Sequence, residues 1–244
     1  MNLGQRFIGV FTAPRETFAG LAEKPAWIEA MVIVLVATFI FGFLIAPFSA
    51  KDSAELMDNS PKMKQMLRER MGEEGYNKYL EKINKEAQAT STSYKIQSGL
   101  TVGIMALLAL SIQSILLLVF GRLVSGSVHG NYRQVLSAMF HASFINAVLG
   151  NALRFILVTA KQSVFKISTG LAVFFPRLEF TSTPYIILNS IDFFQLWVFG
   201  VLGYALSAIF KVDLKKSLII SYLFWALKTV VNIGLGLWGM SRYQ

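Results

Sequence analysis

The chain has 244 residues, of which 54% are hydrophobic and 15% charged, with a formal net charge of +9 and no cysteine. Soluble domains carry about 25% charged residues, so this composition excludes an ordinary soluble body, and the missing cysteine excludes a disulfide framework, thiol catalysis and a thiolate metal site. In so apolar a chain the positive balance reads as Lys and Arg in loops facing anionic lipid, and no nucleic-acid partner is expected.

Residues 1–25 read as an interfacial amphipathic segment. Leu3, Phe7, Ile8, Val10 and Phe11 supply an apolar face, and Thr12-Ala13-Pro14 starts a second short helix through Leu21. Such a segment is expected to lie on the membrane. Arg6, Arg15, Glu16, Glu23 and Lys24 interrupt any signal-peptide core, so an uncleaved N-terminus is expected. Pro25 opens the first span, with Glu29 in its first turn as an interfacial charge at the positive end of the helix dipole.

A helix needs about 20 apolar residues to cross a hydrocarbon core of about 30 Å. Five stretches are long enough: 26–48, 96–120, 134–153, 188–210 and 217–240. Their residues are blocked rather than alternating, which favours helices over a barrel. The expected fold is all-α: a polytopic membrane protein with five transmembrane helices, an amphipathic N-terminal segment and an extramembrane helical hairpin. The membrane domain then covers 26–244 and carries a polar helical insertion over 49–95.

Within that insertion, Ser60-Pro61 can start a helix with Met63, Met66, Leu67 and Met71 on one face. Gly72 breaks it, and Tyr76, Tyr79, Leu80 and Ile83 continue at helical spacing. The hairpin is either a lid on the bundle or a docking surface for a partner, with Met63, Met66, Tyr76 and Tyr79 as the candidate contacts. The methionines read as packing residues rather than soft metal ligands, and no metal or cofactor is expected. Residues 121–133 form a short loop, 154–187 a longer connection with an interfacial or re-entrant piece, TGLAVFFP, and 211–216 a tight link, KVDLKK. The Lys and Arg of the short loops place the N-terminus in the cytoplasm, with KVDLKK the strongest pointer.

Five blocks resemble the Yip family of Ypt/Rab-interacting membrane proteins: RFIGVFTAPRETFAGLAEKPAW, GNYRQVLSAMFHASF, TGLAVFFP, LNSIDFFQLWVFGVLGYAL and KVDLKKSLIISYLFWAL. They come in the family's order and cover nearly the whole chain. The resemblance implies five spans, no enzymatic activity and, for a bacterial branch, residence in the cytoplasmic membrane. It also implies membrane-protein partners: Rab-type GTPases for eukaryotic members, ABC-type exporters for some bacterial ones. This chain lacks the D-L-Y-G-P block of the eukaryotic members and their long arm before the first span.

No H-E-x-x-H, G-x-S-x-G or phosphate-binding G-x-x-x-x-G-K-[ST] occurs, and the two histidines, His129 and His141, lack further imidazoles at ligand spacing. An enzyme is not expected. The informative residues are the polar ones inside the spans. Counted at about 1.5 Å per residue from the inner ends, Gln113 and His141 lie about 10 Å deep, Asn146 and Lys228 about 17 Å, and Asn151, Arg154, Asp192 and Asn232 about 24–30 Å. Asn146, Gly150 and Arg154 share one helix side, as do Ser221, Trp225, Lys228, Asn232 and Gly236. Depth pairs Asp192 with Arg154 and leaves Lys228 to Asn146, to helix carbonyls or, by its long stem, to Asp192. Gly99-x-x-x-Gly103, Gly203-x-x-x-Ser207 and Asn232-x-x-x-Gly236 permit close helix approach.

Two functions are compatible with this pattern. One is an accessory or scaffold for membrane proteins or lipid, its polar groups serving as interhelical glue. The other is a small transporter or lipid-handling protein using the polar core as a cleft. Oligomeric state is left open.

Overall fold

In lipid a backbone N–H or C=O finds no partner outside its own helix, so each long apolar run must coil on itself. The computed structural model describes the backbone of residues 1–58, 61–88 and 91–240. It is helical throughout: α1 (Leu3–Thr12), α2 (Pro14–Glu23), α3 (Trp27–Asp58), α4 (Pro61–Gln88), α5 (Thr92–Ser125), α6 (Tyr132–Ala142), α7 (Asn151–Lys161), α8 (Thr183–Ser190), α9 (Phe193–Phe210) and α10 (Leu214–Met240). A π-helical turn, Ile145–Gly150, joins α6 to α7 into one span. Among the described residues, five helices are long and apolar enough to cross a membrane: Trp27–Leu56, Thr92–Ser125, Tyr132–Lys161, Phe193–Phe210 and Leu214–Gly239.

Small residues let the spans approach closely, as their spacing predicts. A Cβ on Gly99 would lie 2.8 Å from the Phe39 carbonyl oxygen, and one on Gly203 would lie 2.4 Å from the Leu218 side chain. The Ser98 hydroxyl donates to the Gly42 carbonyl (3.0 Å) across the α3–α5 pair, and the Ser221 hydroxyl to the Phe199 carbonyl (2.5 Å) across α9–α10.

The N-terminal segment departs from expectation. Gly103 of α5 faces Leu35 of α3, so the start of α3 is level with about residue 111 of α5, which leaves about 20 Å of α5 with no α3 beside it. The helices α1 and α2 pack at this end of the bundle against α6 and α9. Val10, Phe18 and Leu21 belong to the main core, with the Phe7 ring 5.1 Å from Phe144 and the Phe11 ring 5.9 Å from Trp197. Part of the amphipathic face thus meets protein, through Phe7, Val10 and Phe11, while Ile8 is exposed. Glu29, read as a lone interfacial charge, pairs with the buried Arg6.

The fourth apolar run is also interrupted. It was expected to form one span from Leu188, but α8 ends at Ser190 and Asp192 caps α9, accepting from the Gln195 backbone N–H at 2.9 Å. An acid followed three residues later by Gln is a helix-start pattern, and it divides the run.

At the opposite end from α1 and α2, α3 runs ten residues past Phe48, about 15 Å, before α4 begins. Gly72, at φ 71°, breaks α4 with a kink as expected. Leu67 and Tyr76 are buried together with Tyr79 and Leu80 in a cluster separate from the main core, and the Arg68 guanidinium lies 4.9 Å from the Tyr76 ring centroid. Tyr76, 2% exposed, therefore holds the hairpin together and is not available as a docking contact. Tyr79 and Met66 are half-buried, Met71 is exposed, and the side chains of Met63 and Ile83 lie outside the described residues.

Candidate functional site

The connection between α7 and α9 is pinned before it reaches the site. Asp52 of α3, 4% exposed, accepts from the Ser163 hydroxyl (3.0 Å) and from the backbone N–H groups of Val164 (2.5 Å) and Phe165 (3.0 Å). The Tyr185 hydroxyl donates to the Ile167 carbonyl at 3.1 Å, and burial pushes that hydroxyl's pKa up. The TGLAVFFP piece then forms a 3₁₀ turn, Leu171–Phe174, with Val173, Phe174 and Phe175 exposed. Its first residues form a bridge with the start of α9: Leu171 N–H donates to Ile191 O and Phe193 N–H to Thr169 O, both at 3.1 Å.

That bridge requires glycine. A Cβ on Gly170 would meet the carbonyl oxygens of Asn189, Ile191 and Leu188 at 2.6, 2.9 and 3.0 Å, all backbone atoms that cannot swing away. Gly170→Ala is expected to destabilise the protein by about 1–3 kcal/mol and to release the bridge. Faster amide exchange at Leu171 and Phe193 would report it, and wild-type protection there would contradict it.

The bridge sets Thr169 beside Asp192, and Arg154 completes the group. Its Nη2 donates to Asp192 Oδ2 (3.0 Å), Nε to the Thr169 hydroxyl (3.1 Å), and Nη1 to the side-chain oxygens of Asn146 (2.9 Å) and Asn151 (3.2 Å). The Thr169 hydroxyl in turn donates to Asp192. The guanidinium also lies 5.6 Å from the Phe194 ring centroid. The pairing of Arg154 with Asp192 that depth predicts is present, and Asn146 and Asn151 join it. Four of the five guanidinium N–H groups are thus engaged, and the Arg154 and Asp192 side chains are 19% and 14% exposed. This is a closed network that ties the third span, the loop and α9 together.

Lys228 makes no hydrogen bond to this network, though it is close enough to feel the Asp192 charge. Asn146, helix carbonyls and Asp192 were its expected partners, but its ammonium donates to Gln195 Oε1 at 2.9 Å and lies 5.4 Å from the Phe199 ring centroid. Gln195 lies in the first turn of α9. Beside Lys228 is a cavity of about 180 Å³ bounded by all five spans, with Gln113, Asn146, Gln195, Thr38 and Ser143 as its other polar walls.

Two further expected members are elsewhere. His141 is fully buried beside α1 and α2, its Nδ1 2.8 Å from the Ser137 carbonyl, and its Nε2 has no partner among the described residues. Asn232 is exposed. Because α9 starts only at Phe193, level with Lys228, α10 has no α9 beside it at Asn232. Sequence reasoning missed Asp52, Thr169 and Gln195. Only Gln195 carried a signal, the D-F-F-Q spacing.

The family model described as the Yip1 domain matches residues 8–235. The chain belongs to the Yip family. Neither the curated proteins nor the solved structures contain a match. In this Yip protein the matched region takes in α2 through most of α10 and the whole polar cluster. No group of three or more His, Cys, Asp or Glu suited to a metal ion occurs among the described residues.

Proposed function

We propose that this multi-pass membrane protein is a non-catalytic accessory or scaffold that assembles with another integral membrane protein, in a bacterial cytoplasmic membrane, with its N-terminus in the cytoplasm. The observation that carries the reading is the arm formed by the end of α3 and by α4. It stands beyond the apolar part of the bundle and has its own small core. Its surface is charged, with Lys78–Glu74 and Lys85–Glu81 pairs at helical spacing. Exposed ion pairs of this kind contribute little to stability, so the surface is free to serve recognition. The orientation is supported by Lys24, Arg122, Arg133, Lys211, Lys215 and Lys216, which all lie near the end that α1 and α2 occupy. An exporter subunit is the partner class the family suggests first, a GTPase the second.

The test is purification from native membranes in mild detergent, with mass spectrometry of what accompanies the chain. A stoichiometric membrane-protein partner is expected with the wild type and should be lost on reversing Glu73, Glu74 and Glu81 to Lys. A wild-type protein that arrives without a protein partner would contradict the reading. A second reading, lipid handling through the polar core, is favoured by one observation, the cavity beside Lys228.

A further inference from the structure

The two cations of the polar core differ in how they are satisfied. Arg154 has a carboxylate, a hydroxyl and two amide oxygens. Lys228 has one neutral amide oxygen and an aromatic face, in a span where an ammonium is expensive unless paired. With Asp192 already engaged by Arg154, the group as a whole carries one positive charge in excess.

The amides around the cavity are polarised in the same sense. Gln195 directs its oxygen at Lys228 and Asn146 directs its oxygen at Arg154. A primary amide that gives its oxygen to a cation keeps two N–H donors for something else. Lys228 itself has two N–H groups beyond the one given to Gln195. The hydroxyls of Thr38 and Ser143 donate to carbonyls of their own helices and so offer only lone pairs. Gln113, the remaining polar wall, adds two N–H donors and one amide oxygen, so N–H donors predominate among the spare groups around about 180 Å³. That is roughly six water volumes at about 30 Å³ each, enough for a tetrahedral oxyanion and too little for a whole phospholipid.

We propose that this cavity binds a single phosphate group, with Lys228 as its counter-ion and Gln195 and Asn146 as amide donors. The phosphate is either the diester of an anionic lipid headgroup or free inorganic phosphate. The inference deepens the lipid-handling reading and is independent of the arm, so loss of a protein partner would leave it standing.

Two variants test it on the full-length chain. Lys228→Met removes the counter-ion. Gln195→Glu places a carboxylate against Lys228, occupying the anion's role from within while preserving or raising the unfolding temperature. In the first arm, native mass spectrometry from nanodiscs of phosphatidylglycerol in phosphatidylcholine measures retained phosphatidylglycerol. In the second, lipid-depleted protein in detergent is unfolded thermally with sodium phosphate against sodium chloride at equal ionic strength. Wild-type retention of phosphatidylglycerol, weakened about 10- to 100-fold in both variants as for a lost charged hydrogen bond, assigns the site to a lipid headgroup. Stabilisation by phosphate over chloride, lost in both variants, assigns it to the free anion. Binding of neither by the wild type, or equal binding by either variant, overturns the proposal.

Discussion

Arg154→Ala is expected to destabilise the folded protein by about 3–5 kcal/mol, the range for removing one partner of a buried ion pair. The truncation leaves the Asp192 carboxylate with only the Thr169 hydroxyl and the Gln195 backbone N–H, and leaves Asn146 and Asn151 without their shared donor. Because Asp192 is also the cap of α9, an uncompensated charge there strains the start of the fourth span. The double variant Arg154→Met/Asp192→Asn should recover much of the loss, since it removes both charges and keeps a capping side chain. Chemical or thermal unfolding in one detergent measures all three proteins. An Arg154→Ala protein as stable as the wild type would show that the network does not fasten the bundle.

Asp52→Ala is the second large effect. Asp52 is a single buried carboxylate that satisfies a hydroxyl and two consecutive backbone N–H groups at the turn after α7. Alanine leaves all three donors without an acceptor, and each unsatisfied buried group costs about 1–3 kcal/mol. Water reaching the turn recovers part of this, so a net loss of about 2–4 kcal/mol is expected. The loss should be local first: the loop from Ser163 to Ser182 should become sensitive to protease while the spans remain protected. Asp52→Asn keeps one acceptor and should fall between alanine and wild type. Unchanged proteolysis in Asp52→Ala would place the loop's anchor elsewhere.

The sequence made the spans legible because bilayer thickness acts directly on composition: about 20 apolar residues are needed, and few segments qualify by accident. Arg154 with Asp192 was legible for a related reason. Two opposite charges at one depth in hydrocarbon have few alternatives to each other. Lys228 was not placed correctly, because its partner is an ordinary Gln whose importance depends on where α9 begins. The break at Ile191-Asp192 was hidden inside a run apolar enough to read as continuous, although D-F-F-Q marked the new helix start. The same pattern in N-L-G-Q and N-Y-R-Q gives capping boxes at Asn2 and Asn131. The docking of α1 and α2 into the bundle was not legible at all. An amphipathic face is the same whether it meets lipid or protein, and only the placement of α6 and α9 at this end of the bundle decides which. Tyr76 illustrates the converse limit, since helical spacing gave its face but not that Arg68 and Leu67 would close over it.

The separation of the polar core into a closed fastening and an open anion site is tested most directly by unfolding Lys228→Met beside Arg154→Met in the same detergent. Lys228→Met is expected to lie within about 1 kcal/mol of the wild type, because methionine keeps the packing and the Gln195 amide it leaves can bond water in the cavity. Arg154→Met is expected to be severely destabilised. Equal and large losses in the two variants would contradict the separation and make Lys228 part of the fastening.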